Sequence, residues 1–287
     1  MGGLSKGIAR LQKLQLRYKA GCARVWCQSK LFPPPPKGTF PPAWMAVKSA
    51  YPPVWRTDDR PHGLVAIGGV LTEESLLTAY SKGVHPFCDL RPIRWVAFNP
   101  RMVLFPEKAK LGKGIRTLIR SGRFVVTFDT AFEAVLYECS QRSWTWLVNE
   151  RIDVAVSLHR RGQAHSVEVW NRDGKLVAGL FGVGMGRVFI GESAFSAESN
   201  AMKVAFAYLN CHLQHWGYAL HDAQAFAEHL RLMGFEEIPR RDYVRLLRKM
   251  VGQEIKAGPW SVDQRLDVGA WNPSEPGSQL KEHPVSP

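Results

Sequence analysis

The sequence predicts an α+β fold built on a mixed, largely antiparallel sheet. Residues 165–190 carry the main signal, because strand-like stretches there are joined by a hairpin turn at 171–174. Helical spacing is strongest over residues 200–216, and Gly217 follows at the position where helices commonly end. The chain has 287 residues and is 45% apolar, which excludes a wholly disordered protein. No run of about 18 apolar residues occurs, so no membrane-spanning helix is predicted.

The excess of positive charge lies at the beginning of the chain. The formal net charge is +13, and ten lysines and arginines precede Asp58, the first acidic residue. Four consecutive prolines at 33–36 exclude a helix and indicate an extended linker. We therefore predict a basic, Pro-rich arm over residues 1–49 and a folded body from about residue 50 onward.

This arm has three interpretations, which the sequence leaves open. It suits a polyanion, since each lysine or arginine placed on a phosphate releases counterions. An organellar leader at residues 1–40 would also be basic and free of acids, although such leaders are usually richer in serine. The third interpretation is an extension without a role.

A small N-terminal α/β domain is predicted over residues 50–122. Residues 63–71 are an apolar strand that enters a Gly-Gly turn, and Thr72 is expected to cap the helix that follows. Farther along, Lys113, Arg116 and Arg120 have the i, i+3, i+7 spacing that puts them on one helical face. That face is either simply solvated or binds phosphate.

A second domain is predicted over residues 123–258. Residues 124–128 form a strand, and Asp129 or Thr130 is expected to cap the helix after it. A second helix over 149–161 ends at Gly162, and two further helices follow the strand near residue 220. The polar, proline-containing residues 259–287 are predicted to be a flexible tail.

The cysteines and histidines give no sign of a disulfide framework or a metal site. Five cysteines are scattered without a C-x-x-C pair, so we interpret them as free thiols in a reducing compartment. His212 and His215 lie three residues apart, but a metal needs three convergent ligands with supporting partners. We predict a cytoplasmic protein that holds no metal.

Polar side chains at two strand ends are the main candidates for chemistry. Glu192 follows a strand in a Gly-Glu-Ser run, and Asp222 and Gln224 follow the strand near residue 220. Strand alternation would put Asp222 and Gln224 on one face. The alternative is structural, because the two carboxylates could cap helices or pair with arginines.

At this point the sequence resembles a known family, the leucyl/phenylalanyl-tRNA–protein transferases, bacterial enzymes that add Leu or Phe to proteins with an N-terminal Arg or Lys. The matching segments run in order from about residue 63 to residue 247. They are G-L-V-A-I-G-G at 63–69, T-W-L at 145–147, L-H-R-R-G-Q-A-H-S-V-E-V-W at 158–170, L-V-A-G-L-F-G at 176–182, V-F-I-G-E-S-A-F-S at 188–196, N-A-M-K at 200–203, H-D-A-Q at 221–224 and I-P-R-R-D-Y at 238–243.

The resemblance implies a fold, a reaction and partners. It implies that the C-terminal domain is similar to the GCN5-related N-acetyltransferases, and that the enzyme is a monomer without cofactor, metal or membrane contact. The implied reaction moves Leu or Phe from charged tRNA to the α-amine of acceptor proteins with N-terminal Arg or Lys, marking them for N-end rule degradation. Met as a donor stays open. Because the tRNA ester is already activated, such an enzyme mainly positions both partners and stabilises the oxyanion.

The resemblance also assigns catalytic roles. Gln224 would accept a hydrogen bond from the attacking amine, and Asp222 would orient the Gln224 amide. The charge of Glu192 would suit the amine or the basic acceptor side chain.

Other matched positions would bind the donor tRNA. The pocket for the Leu or Phe side chain would be lined by Leu180, Phe189, Gly191 and Leu209. Phe87 and Trp146 would contact the 3′ adenosine by stacking. The region of Lys113, Arg116 and Arg120 would contact the acceptor stem.

The chain departs from the family pattern in several places. His85 stands where the family prefers Phe, residues 95–101 differ from its Trp-Trp-Ser-Pro-Asp-Pro-Arg run, and His221 takes an apolar pocket position. Two other readings therefore stay open: an N-acyltransferase with another activated donor, such as an acyl-thioester, and a catalytically silent tRNA-binding paralogue.

Overall fold

The computed structural model describes residues 43–45, 63–87, 92–141, 145–255, 258–275 and 277–281. The chain divides into two units, Met1–Pro41 and Pro42–Pro287, and every described residue belongs to the second unit. Apart from residues 43–45, the predicted basic arm lies outside the described residues.

The smaller of two sheets is built from the first described strands. β1 and β2 run parallel, and the other neighbouring strands are antiparallel. β2 confirms the strand predicted before the Gly-Gly turn. The four strands, in the order β1-β2-β4-β3, are β1 (Ala43–Met45), β2 (Leu64–Gly68), β3 (His85–Phe87) and β4 (Arg94–Val96).

Helix α1 (Glu73–Tyr80) begins where the sequence predicts. The Ser75 N–H donates to Thr72 Oγ1 at 3.1 Å, and the Thr72 N–H donates to Ser75 Oγ at 2.9 Å. This reciprocal pair satisfies N–H groups that have no partner within the helix. Thr72 is therefore confirmed as the N-cap residue.

The larger, seven-stranded sheet has the order β11-β5-β10-β9-β8-β7-β6. β9 and β10 are parallel, and every other pair in this sheet is antiparallel. The predicted α+β class with a mixed, largely antiparallel sheet is confirmed. The strands are β5 (Arg101–Leu104), β6 (Val125–Phe128), β7 (Ala164–Trp170), β8 (Leu176–Met185), β9 (Val188–Ser196), β10 (Leu220–Gln224) and β11 (Glu236–Ile238).

Helices cover both faces of this sheet. Besides α1, the helices are α2 (Lys113–Arg120), α3 (Phe132–Ser140), α4 (Asn149–Arg160), α5 (Ala201–His215), α6 (Glu228–Arg231) and α7 (Arg240–Met250), with a short 3-10 helix at Pro106–Lys108.

Alternate residues of β8 and β9 enter two separate apolar clusters. Phe181 and Ile190 pack with α1, α3, α4 and α7, whereas Leu180 and Phe189 pack with α5. The first cluster also contains Trp95 from the small sheet, so the two sheets share a core.

Strand β5 lies before residue 123, where the second domain was predicted to begin. It nevertheless pairs with β10 and β11 in the large sheet. This pairing places Arg101, at the start of β5, beside the end of β10. β11 was not predicted from the sequence.

The predicted cap of α3 is wrong. The N-cap residue is Ala131, which has no side-chain capping bond. The Asp129 carboxylate instead accepts hydrogen bonds from the N–H groups of Ser166 at 2.8 Å and Trp260 at 2.7 Å, and it contacts His165 Nδ1 at 2.8 Å. A carboxylate that could cap its own helix thus joins two segments that are distant in sequence.

The segment predicted as a flexible tail from residue 259 is packed over 258–275 and 277–281. Trp260 and Trp271 are buried. The Trp271 carbonyl accepts a hydrogen bond from Arg116 Nη1 at 2.7 Å, and its indole N–H donates to Gln214 at 2.6 Å. Two large aromatic side chains outweigh the polar composition on which the prediction rested. None of the described helices is long and apolar enough to cross a bilayer.

Candidate active site

The parallel strands β9 and β10 bring the predicted catalytic residues together. Asp222 is in register with Ile190, two residues before Glu192. Asp222 and Gln224 end β10, and Gln224 also contacts the Gly191 carbonyl. Glu192 does not follow a strand as predicted, because β9 continues through it to Ser196. Sheet pairing therefore brings Glu192 on β9 near Asp222 and Gln224 at the end of β10.

Asp222 is a fully buried carboxylate that accepts four hydrogen bonds. Arg101 donates from Nε to Oδ1 at 2.8 Å and from Nη2 to Oδ2 at 2.6 Å, a bidentate pair. The Tyr243 hydroxyl donates to Oδ2 at 2.7 Å, and the Gln224 N–H donates to Oδ1 at 2.8 Å. Burial by itself would lower the pKa of Arg101, but the charge of Asp222 outweighs it and raises that pKa. Arg101 is therefore a permanent cation.

Gln224 reaches the site through a bulge rather than through strand alternation. The register of β10 against β5 shifts between Asp222 and Gln224, and Gln224 has a φ of +66°. Its side-chain Nε2 donates to the Gly191 carbonyl at 2.8 Å. That bond fixes the amide orientation, so Oε1 is left as an acceptor. The predicted contact of Asp222 with this side chain is instead a contact with the Gln224 main chain.

Glu192 is also buried, and the charge of Arg151 balances its negative charge. Arg151 Nη2 lies 2.6 Å from Glu192 Oε2, and the Tyr80 hydroxyl donates to Oε1. Burial first, and then the charge of Glu192, raise the pKa of Tyr80 well above its usual value, so Tyr80 is a neutral donor. The charge expected to attract an amine is therefore matched by Arg151.

Five side chains of these two clusters were not predicted: Tyr80, His85, Arg101, Arg151 and Tyr243. They come from α1, β3, β5, α4 and α7. His85 Nε2 contacts Arg101 Nη2, and the His85 ring lies 4.8 Å from the Tyr80 ring. A sequence signal did exist, since arginines inside apolar strands and helices must be paired when they are buried.

The four residues predicted for a donor side-chain pocket lie close together. Leu180, Phe189 and Leu209 belong to one buried apolar cluster. Gly191 follows Phe189 on β9, and a Cβ there would lie 3.2 Å from His221 Nε2 and 3.4 Å from the Asp222 carbonyl. These neighbours leave little room for a side chain, so glycine allows β9 to pack closely against His221 and Asp222.

His221 introduces a polar ring beside this cluster. Its Nδ1 contacts Asn210 Oδ1 at 2.9 Å, and its ring lies 5.2 Å from the Phe189 ring. Burial lowers the pKa of His221 to about 4, although Asp222 opposes the shift. His221 is therefore neutral at pH 7.

The two predicted adenosine contacts are neighbours. The ring centroids of Phe87 and Trp146 are 6.3 Å apart, with their planes inclined by 54°. Both side chains are half-buried.

The three predicted tRNA contacts on α2 are not alike. Arg116 donates to the carbonyls of Gly269 at 3.2 Å and Trp271 at 2.7 Å, and Arg120 donates to Gly269 at 3.1 Å. Two of the three thus hold the C-terminal segment, and Lys113 is exposed.

Metal ligands do not cluster in the part of the chain that the structure describes: no group of three or more His, Cys, Asp or Glu side chains could hold a metal ion there. The described cysteines, Cys139 and Cys211, are buried thiols, and burial raises the pKa of Cys211. Cys22, Cys27 and Cys88 lie outside the described residues.

The active site thus contains the Gln224 amide oxygen in a fixed orientation, next to the Asp222 carboxylate that Arg101 and Tyr243 hold in place. Such an arrangement suits the positioning of an amine.

Comparison with known proteins gives a consistent picture. The family model described as leucyl/phenylalanyl-tRNA protein transferase matches residues 103–248, a range that contains Glu192, Asp222 and Gln224. The transferase of that name from Nitrosospira multiformis is 40% identical over 225 residues, which cover 77% of this chain and 97% of that protein.

Two further relatives carry the same name. The protein from Pseudomonas syringae is 42% identical over 216 residues, covering 74% of this chain and 93% of its own length. The protein from Aromatoleum aromaticum is 39% identical over 230 residues, covering 78% and 97%.

Proposed function

The chain belongs to the leucyl/phenylalanyl-tRNA–protein transferase family and is an aminoacyltransferase, and we propose that it moves Leu or Phe from charged tRNA to the α-amine of proteins that begin with Arg or Lys. The observation that carries the proposal is the family match across residues 103–248, in which the Asp222–Gln224 pair is present and assembled. We further propose that the product is marked for N-end rule degradation in the cytoplasm.

In the proposed reaction, the amine nitrogen attacks the ester carbonyl carbon that joins the amino acid to the 3′ adenosine. A C–N bond forms, the C–O ester bond breaks, and a proton moves from the amine to the departing ribose oxygen. Gln224 Oε1 accepts a hydrogen bond from the amine and aims its lone pair at the carbonyl. A glutamine holds no proton at neutral pH, so its role is orientation rather than storage of that proton.

The two buried carboxylates support this geometry in different ways. Asp222 holds the Gln224 main chain and is itself fixed by Arg101 and Tyr243. Glu192 is held by Arg151 and Tyr80 on the neighbouring strand β9. We assign Glu192 a supporting role in shaping the site, because its charge is already balanced.

For the donor side chain we propose a site at the apolar cluster around Leu180, Phe189 and Leu209, beside Gly191. An unbranched or aromatic side chain should be accepted there, whereas β-branched Ile or Val should clash. The choice among Leu, Phe and Met stays open. Phe87 and Trp146 would stack with the 3′ adenosine.

We also propose that the large sheet with its helices has a fold like that of the GCN5-related N-acetyltransferases, with the small sheet in an N-terminal domain that packs against it. We also propose that the enzyme works as a monomer, without cofactor or metal. Exposed Lys113 is the α2 residue that we assign to the acceptor stem.

The test is incubation of the full chain with Leu-tRNA and a peptide that begins with Arg, followed by mass measurement of the peptide. We expect the mass of one leucine residue to be added, and we expect both Asp222→Ala and Gln224→Ala to abolish the addition while tRNA binding is kept. No addition from Leu-tRNA, Phe-tRNA or Met-tRNA would contradict the proposal. Transfer from an acyl-thioester, or tRNA binding without transfer, would then favour an N-acyltransferase or a silent paralogue, respectively.

A further inference from the structure

Strand β3 is the contribution of the small sheet to the site. His85 and Phe87 are two residues apart, so their side chains leave the same face of the strand. Phe87 lies beside Trp146, whereas His85 lies against Tyr80 and contacts Arg101. His85 is buried, and none of the steps derived above uses it.

The contact with Arg101 fixes the protonation state of His85. A guanidinium can only donate hydrogen bonds, so His85 Nε2 must be the unprotonated acceptor and Nδ1 must carry the proton. The same Arg101 Nη2 donates its other hydrogen to Asp222 Oδ2. In the part of the chain that the structure describes, Arg101 Nη1 is buried without a hydrogen-bond partner. Asp222 therefore holds the Nε–Nη2 edge of the guanidinium, and His85 accepts the remaining hydrogen of Nη2.

The charges around His85 favour the neutral ring. Arg101 on β5 contacts it, Arg151 on α4 acts on it through its charge, and Tyr80 on α1 lies against its face. The carboxylates of Asp222 on β10 and Glu192 on β9 are already paired with these two arginines. Burial first, and then the two arginines, lower the pKa of His85 well below its usual value. A proton on Nε2 would face the Arg101 donor and push the guanidinium away.

We propose that His85 is a positioning residue for the transfer reaction: as a neutral acceptor it holds Arg101 in the plane that clamps Asp222, and Asp222 in turn holds Gln224. This inference rests on the proposed function. It adds a member to the site that comes from a different sheet from Asp222 and Gln224.

Three substitutions of His85 distinguish the effect of its hydrogen-bond acceptor from the effect of its aromatic ring. His85→Gln places an amide oxygen near the position of Nε2, His85→Asn places one only near Nδ1, and His85→Phe keeps a ring without any acceptor. We expect His85→Gln to retain kcat for transfer from Leu-tRNA. We expect His85→Asn and His85→Phe to lower kcat about tenfold with an unchanged KM for Leu-tRNA, since a hydrogen bond to a charged group is lost.

The pH profile checks the neutral state of His85. Because the pKa of His85 lies well below its usual value, the ring should stay neutral between about pH 7 and about pH 5. The ratio of the kcat of His85→Gln to that of the wild type should therefore stay constant over this range, and a ratio that rises with a midpoint near the ordinary histidine pKa of about 6.5 would contradict the inference. Phe87→Ala is the matched variant on the same strand, and it should raise the KM for Leu-tRNA, whereas His85→Asn should lower kcat.

Two results would overturn the inference. One is equal kcat for the wild type, His85→Asn and His85→Phe. The other is equal losses in all three variants, with thermal unfolding midpoints showing that each variant is folded.

A measurement independent of activity distinguishes failure of this inference from failure of the proposed function. Nitrogen-15 NMR of histidine-labelled protein, with the His85 signals assigned by their loss in His85→Gln, should show a protonated Nδ1 and a bare Nε2. A protonated Nε2, or titration near the ordinary histidine pKa of about 6.5, would refute the inference. Lack of transfer by the wild type, together with the expected tautomer, would refute only the proposed function.

Discussion

The site contains two buried carboxylates, each of which is held by one arginine and one tyrosine. Asp222 is bound by Arg101 and Tyr243, and Glu192 is bound by Arg151 and Tyr80. Only Asp222 also accepts a hydrogen bond from the main chain of the residue proposed to face the amine, Gln224. Two buried acids with similar ion pairs thus differ in what they position: Asp222 positions the reacting group, and Glu192 ties α1 and α4 to β9.

The largest expected effect follows from removing the charge of Asp222. Asp222→Asn leaves Arg101 as a buried, unpaired cation, and it should lower the free energy of unfolding by about 4 kcal/mol and abolish transfer. Chemical denaturation and the leucine-addition assay measure the two effects. Asp242→Asn is the matched control, because Asp242 pairs with Arg245 on the exposed side of α7 at 3.3 Å. A stable, active Asp222→Asn variant would show that Asp222 does not position the reacting group as proposed.

Glu192→Gln should be nearly as destabilising but less harmful to transfer. Glu192 accepts fewer hydrogen bonds than Asp222, so we expect a loss of about 3 kcal/mol in the free energy of unfolding. Because we expect Gln224 to stay in place, kcat should fall by only about tenfold, the cost of a small displacement. The same measurements on Glu198→Gln, whose partner Arg123 is an exposed residue, should show little change in either quantity. Equal loss of transfer in Glu192→Gln and Asp222→Asn would instead assign Glu192 a direct role.

The sequence predicts the strands that carry the site residues better than it predicts the side chains that pair with those residues. Period-two alternation and turn residues locate β7 to β10, so the strands that carry Glu192 and Asp222 are predictable, although β9 continues through Glu192 instead of ending before it. No local pattern states that Arg101 pairs with Asp222, because the two residues are far apart in the chain and meet only through the pairing of β5 with β10. The bulge that turns Gln224 into the site is likewise invisible, since glutamine is not a residue type that marks positive φ.

Two wrong predictions, the cap of α3 and the flexible tail, have the same origin. Asp129 is a good capping residue by type, yet its carboxylate binds the Trp260 N–H. The segment after residue 259 is polar on average, yet it packs onto the protein because the side chains of Trp260 and Trp271 are buried. In both places a long-range contact outweighs the local composition.

Acidification should affect the Asp222 cluster through its neighbour His221. The pKa of His221 is lowered from 6.5 to about 4 in the folded protein, so between these values the unfolded chain binds more protons than the folded one. Stability is therefore lost as the pH falls below about 6.5, by about 2 kcal/mol at pH 5. His221→Leu should remove that part of the pH dependence of denaturation between about pH 7 and pH 5. An unchanged pH dependence would show that His221 titrates normally.

The smallest expected effect concerns an arginine that has main-chain partners instead of a carboxylate. Arg116 donates to the carbonyls of Gly269 and Trp271, and such bonds contribute about 1 kcal/mol each. Arg116→Ala should therefore lower the free energy of unfolding by about 1 to 2 kcal/mol without leaving a buried charge, and it should leave the kcat of transfer unchanged. Lys113→Ala, on the same helix, should leave stability unchanged and raise the KM for Leu-tRNA, because Lys113 is exposed and free to contact phosphate. A rise in KM for Arg116→Ala equal to that for Lys113→Ala, without loss of stability, would show that Arg116 serves the tRNA rather than the C-terminal segment.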